Sequence, residues 1–78
     1  MEIVKKVDIR PGDWAVVRGK SWIEDMEKIS EIKTVVLPDG EECKVVVVES
    51  GCQYRFDNGK VVKGIAGRVL VSVERGEL

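Results

Sequence analysis

The run Val45-Val46-Val47-Val48 constrains this chain more than any other stretch. Four successive β-branched side chains lose rotamer freedom in a helix and pack well on a pleated surface, so the run predicts a strand. Successive residues of a strand point to opposite faces, which makes this one apolar on both and places it inside a sheet rather than at its edge. Glu49-Ser50-Gly51 supplies a turn, after which Cys52, Tyr54 and Phe56 alternate with Gln53, Arg55 and Asp57, the period of a half-buried strand. Asp57-Asn58-Gly59-Lys60 closes that strand, since Asn-Gly suits the two positive φ angles of a type I′ hairpin turn.

Further short strands flank this centre. Glu2 to Ile9 alternates imperfectly and predicts a first strand, with Lys5 and Lys6 guarding an edge. Arg10-Pro11-Gly12-Asp13 predicts a type II turn, and Trp14 to Arg18 a mostly apolar strand. Ser21 with Glu24 has the form of a capping box, and Trp22, Met26 and Ile29 share one helical face, so residues 22–28 are expected to form one or two helical turns. The competing reading is a long polar excursion that extends into a strand. Ile32 to Leu37 and Glu41 to Val48 then pair about Pro38-Asp39-Gly40. Val61-Val62 is a short strand, and Gly64 to Gly67 a loop or single 3₁₀ turn. Arg68 to Glu74 is a last strand with Val69, Val71 and Val73 on one face, and residues 75–78 are expected to fray.

These elements predict a mainly β fold over residues 1–78 as a single domain: a small barrel or a curled antiparallel meander of five or six strands. A sheet of this size must curl or cover itself to hide an apolar face. The segment Ile9-Arg10-Pro11-Gly12-Asp13-Trp14-Ala15-Val16-Val17-Arg18-Gly19, followed by a polar excursion and a hairpin meander, resembles the opening of SH3-like small barrels, including KOW-type domains of translation and transcription proteins. The stretch Glu49 to Gly64 is also similar to short uncharacterised proteins of phages and mobile elements. The first resemblance implies a binding module; the second names no activity.

Charge and residue counts narrow the function. The 13 basic and 14 acidic residues leave a net charge of −1, so the overall balance demands neither nucleic acid nor an anionic membrane. No apolar run approaches the roughly 18 residues a membrane span needs, and the charged N-terminus lacks the core of a signal peptide, which predicts a cytoplasmic protein without membrane contact. The chain has no histidine, which removes Ser-His and Cys-His pairs, imidazole metal sites and the commonest general base together. Cys43 and Cys52, with eight residues between them, match no common zinc or redox spacing and are expected as reduced, packed thiols. Single Asn, Gln and Thr residues among many Val, Glu, Lys and Arg also fit a heat-adapted composition. No cofactor or metal is expected, and no enzymatic activity.

Two local features point to partners. Trp14 is expected in the core, whereas Trp22 sits in a polar segment, either tucked over the barrel mouth or exposed as an anchor. Exposed, Trp22 with Met26 and Glu24 would form an aromatic, acid-rimmed surface for a basic or proline-rich protein partner. Arg55, Lys60, Lys63 and Arg68 fall within fourteen residues that contain one acid, Asp57, and with Tyr54 would form a nucleic-acid-binding face. The alternative for the arginines is a solvated surface matched by neighbouring acids. Asp39, Glu41 and Glu42 read as a solvated turn, and Cys52 as core rather than nucleophile. The favoured function is a non-enzymatic module that binds a protein partner around Trp22. The alternatives are the nucleic-acid face and a self-associating subunit, a homo-oligomer formed by strand edges pairing between copies.

Overall fold

A computed structural model describes residues 3–76. Its six antiparallel strands are β1 (Trp14–Arg18), β2 (Glu24–Val36), β3 (Glu42–Val48), β4 (Gln53–Arg55), β5 (Val61–Lys63) and β6 (Val69–Glu74). They form one sheet in the order β5-β4-β3-β2-β1-β6. The valine run lies in β3, interior as its two apolar faces require. Val46 and Val48 enter the main core with Ile29, Tyr54, Ala15, Val17 and Val73, while Cys43, Val45 and Val47 pack with Val35, Leu37 and Val62 on the opposite face. The two cysteines are free and lie on opposite sides of the sheet, Cys52 against the main core and Cys43 in the second cluster.

β2 is long enough to serve two neighbours. Its first half pairs with β1, from Arg18↔Glu24 to Trp14↔Lys28, and its second half with β3, from Ile29↔Val48 to Val36↔Glu42, with an irregularity between Ile29 and Glu31. A bulge of this kind bends the strand, which lets one sheet curl around its own core. The ends of the sheet then meet: Lys60 and Val69 form a bridge, and the Leu70 N–H donates to the Gly59 carbonyl at 2.8 Å. Gly59 makes this closure geometrically feasible, because a Cβ there would stand 2.2 Å from the Leu70 oxygen.

Several sequence expectations are corrected. Residues 24–28 are strand, not helix, and the segment before them is loop. The pairs Val16↔Met26 and Ala15↔Glu27 give this stretch a strand partner along its full length, and tertiary pairing overrides a helical face that rested on only three apolar residues. The N-terminal segment is not a strand. Ile3 makes an isolated bridge to Glu74, Val4 is buried, and Lys6–Asp8 forms a 3₁₀ turn that leaves Val7 exposed. The Arg10–Asp13 turn forms, closed by the Asp13 N–H on the Arg10 carbonyl at 3.1 Å.

Trp14 is half-buried on the outer face, its ring under the Lys28 ammonium, because strand alternation turns Ala15 and Val17 inward instead. Asn58 keeps a negative φ, so the 56–60 connection is not a type I′ turn; Gly59 alone takes the positive angle there. In β6 a shift between Val16 and Val17 of the partner strand skips Val71, which is exposed, and hands its core place to Leu70. Residues 75–76 are tethered rather than frayed. The buried Asp13 carboxylate, 3% exposed, accepts from Arg75 Nη1 at 3.1 and 3.2 Å, from the Gly76 N–H at 3.0 Å and from the Arg10 N–H at 3.0 Å. Burial pushes the Asp13 carboxyl up, but these donors and the Arg75 charge outweigh it and hold the group below its ordinary range. Residues 77–78 lie outside the described residues.

Candidate functional site

The β1–β2 connection, residues 19–23, is closed by the Trp22 N–H on the Gly19 carbonyl at 3.1 Å and the Gly19 N–H on the Ile23 carbonyl at 3.3 Å. Trp22 takes φ of 64°, the only positive φ of a non-glycine residue among the described residues. Hairpin loops of this kind place glycine or asparagine at the left-handed position, and an L side chain there costs about 1–2 kcal/mol. The loop nonetheless carries the largest side chain in the repertoire, 76% exposed. Of the two sequence readings of Trp22, the exposed one describes the structure.

The indole is held from one side. The Arg18 guanidinium lies 5.5 Å from the ring centroid, and its Nε donates to Glu24 Oε2 at 3.1 Å. Arg18↔Glu24 and Val16↔Met26 are directly opposed pairs of one parity, so Arg18, Glu24, Val16 and Met26 share the outer face of the β1–β2 hairpin. The three residues expected to act together, Trp22, Glu24 and Met26, are therefore brought onto one surface. Met26 is 42% exposed.

Behind the loop tip is an open depression of about 370 Å³, walled by Ile23 (65% exposed) and Ile65 (58%) and edged by Lys20, Ser21, Asp25 and Arg68. Arg68 closes its floor, with Nη2 3.3 Å from Asp25 Oδ2 and Nη1 3.8 Å from Glu27 Oε2. Val17↔Asp25 and Ala15↔Glu27 put both acids on the inward parity of β2, at the end of the core. Beneath them the Tyr54 hydroxyl and Glu27 Oε2 are buried without a hydrogen-bond partner. Burial pushes the Tyr54 phenol above its ordinary value, opposed by the Arg68 guanidinium. The acids of this half of β2 are thus answered by arginines: Glu24 by Arg18 on the face of Trp22, Asp25 and Glu27 by Arg68 on the inward parity. The surface is apolar with neutralised charge rather than acid-rimmed.

The residues of the nucleic-acid alternative are placed differently. Tyr54 is fully buried and has no face for a base to stack on. Arg55 forms a two-point bond to Asp57, with Nε and Nη2 each at 3.0 Å, and this guanidinium holds the Asp57 carboxyl down at about 2. Arg68 is engaged with Asp25 and Glu27. Lys60 and Lys63 are exposed. Asp39 Oδ1 accepts the Glu41 N–H at 2.9 Å, as a turn-forming aspartate does.

Sequence reasoning missed Arg18, Ile23 and Ile65. Ile23 and Ile65 are 42 positions apart in the chain and meet only because β1 joins β2 to β6. Arg18 acquires its meaning from the hairpin register, which the helical reading of residues 22–28 concealed. Comparison with protein-family models, curated protein sequences and solved structures found no match.

Proposed function

We propose that this domain is a non-enzymatic protein-binding module whose anchor is Trp22. The observation that carries the reading is the backbone of Trp22: a large, exposed aromatic held at φ of 64° on a short hairpin loop and backed by Arg18. Strained conformations persist where the surrounding structure over-determines them and concentrate at binding sites. A solvent-exposed indole at this position gives folding no net advantage over a glycine. A rigid aromatic anchor with few rotatable bonds is the ordinary centre of a protein interface.

The partner we infer is an apolar or proline-bearing peptide segment, which would lay a ring or aliphatic side chain against Trp22 and another between Ile23 and Ile65. The paired charges argue against a strongly basic ligand, since no free acid remains among Glu24, Asp25 and Glu27. This reading is favoured over nucleic acid because Tyr54, Arg55 and Arg68 are buried or engaged. The separated free thiols support a reducing, cytoplasmic setting.

The test is a peptide array carrying proline-rich, aliphatic and Lys/Arg-rich segments, probed with the wild-type chain and with Trp22→Ala, beside a single-stranded RNA and DNA titration at low salt. Peptides held by the wild type and lost by Trp22→Ala support the reading. Equal capture by both proteins, or nucleic-acid binding with no peptide capture, refutes it.

A further inference from the structure

The distal half of β2 has an unpaired edge. β1 occupies the far side of β2 only as far as Lys28, and the Gly12 and Asp13 main chain extends that cover by one residue, bonding the Ile29 carbonyl and N–H at 2.8 Å each. From Ser30 to Val36 the described residues supply no strand on that side, while β3 pairs the other. The hydrogen-bonding parity follows from the hairpin end. The Leu37 N–H donates to the Glu41 carbonyl at 2.8 Å, so Leu37, Val35, Lys33 and Glu31 direct their main-chain groups to β3, and Ile32, Thr34 and Val36 direct theirs outward. This edge carries no proline, and between Glu31 and Val36 its residues are Ile32, Lys33, Thr34 and Val35, three of them β-branched. Such an edge is a template for another strand.

We propose that a second copy of this chain occupies it, through antiparallel pairing of β2 with β2 about a twofold axis. The sequence of the edge selects the copy as partner and fixes the register. A twofold axis normal to the sheet sets one residue opposite itself, and residues equally spaced from it oppose each other. Centred on Glu31 or on Lys33, the pairing sets like charges face to face. Centred on Thr34, it sets Glu31 against Leu37 and Lys33 against Val35. Centred on Ile32, it sets Glu31 against Lys33 of the other copy twice over, Ile32 against Ile32, and Ser30 against Thr34. Glu31 and Lys33 are exposed and make no ion pair among the described residues, so both charges are available. The bend at Ile29–Glu31 turns the β1 half of β2 out of line with this arm, so the pairing ends at Ser30.

The experiment is sedimentation equilibrium of the full chain up to about 1 mM, a range that captures weak association, on the wild type, Glu31→Lys, Lys33→Glu, the double variant and Thr34→Pro. Thermal melts by circular dichroism confirm that each variant folds. The Thr34 N–H faces away from β3, so proline there removes no bond within the monomer. The expected result is a reversible dimer. Each single charge reversal weakens it roughly tenfold, since two opposed pairs change sign together. The double reversal restores it, and Thr34→Pro abolishes it. A wild-type monomer across the whole range overturns the proposal. So does a dimer indifferent to both charge reversals, or one that the double variant fails to restore.

Discussion

Replacing Trp22 by glycine and by alanine separates the backbone of the anchor from its side chain. Both substitutions remove the indole and its contact with Arg18 at 5.5 Å, a loss of about 0.5–1 kcal/mol at an exposed site. They differ only in what remains at φ of 64°. Alanine keeps the left-handed penalty of about 1–2 kcal/mol, whereas glycine has none. Glycine's greater freedom in the unfolded chain returns about 0.5–1 kcal/mol of that advantage. The net expectation is a Trp22→Gly variant more stable than Trp22→Ala by about 1 kcal/mol, and within a few tenths of the wild type. For a domain of this size that separates the two melting temperatures by roughly 4–8 °C.

Urea denaturation followed by far-ultraviolet circular dichroism reads the difference as a change in midpoint at constant slope. Peptide binding, which needs the ring, falls equally in both variants. An alanine variant as stable as the glycine variant would mean that the 19–23 loop does not impose the left-handed conformation. Trp22 would then sit at φ of 64° without a backbone penalty, and its conformation would no longer mark it as an anchor.

Other perturbations probe the supports of the fold. Asp13→Asn removes the charge that gathers Arg10, Arg75 and Gly76, and should cost about 2 kcal/mol in chemical denaturation. The Asp13 carboxyl is held below its unfolded value, so its contribution is whole above pH of about 4 and is lost as pH falls through the folded value. Asp57, held down at about 2, contributes with the same sign. The wild-type denaturation midpoint should therefore fall on acidification below pH of about 4, with a shallower acid limb in Asp13→Asn. Tyr54→Phe deletes a buried hydroxyl that has no hydrogen-bond partner, and should leave stability unchanged or raise it by up to about 1 kcal/mol. A loss of that size would instead show Arg68 donating to the phenol. Gly59→Ala drives a Cβ into the Leu70 carbonyl at a left-handed φ, and should cost about 3 kcal/mol with early loss of amide protection at Leu70.

What the sequence made legible follows from which signals are local. The valine run, the alternation of Cys52, Tyr54 and Phe56, and the Pro38-Asp39-Gly40 hairpin depend on neighbours a few positions away, and each stands as expected. The segment 22–28 misled because its pattern of apolar residues fits a helix, while its strand character comes from β1 and exists only in the pairing. Asp13 gave no signal at all. A single acid after a Pro-Gly turn looks solvated until residues 75 and 76 return to cover it. The arginines of the basic cluster are engaged for a related reason: proximity in sequence put Arg55 near Arg68, but alternation and long-range pairing gave one to Asp57 and the other to Asp25 and Glu27.

Both proposed contacts involve β2, the anchor through the loop that enters it and the dimer through its open edge, and the irregularity at Ile29–Glu31 separates them. The first half of the strand carries Glu24 and Met26 on the anchor face, with β1 covering its edge. The second half carries the open edge from Ser30 to Val36. Five positions, Lys28 to Ile32, join the last β1-paired residue to the centre of the inferred dimer. Neither contact uses a side chain of the other, and energetic effects at sites this separate add unless a shared element shifts. Trp22→Ala should leave the dimer dissociation constant within about twofold of the wild type, and Thr34→Pro should do the same for peptide affinity. If Thr34→Pro weakens peptide binding by tenfold or more, β2 is transmitting the change through its bend, or the peptide requires two copies of Trp22 at once. A monomeric peptide with one aromatic residue distinguishes these. Avidity disappears when the variant is compared at immobilised-peptide densities too low to engage two anchors, whereas a bend-transmitted effect persists at every density.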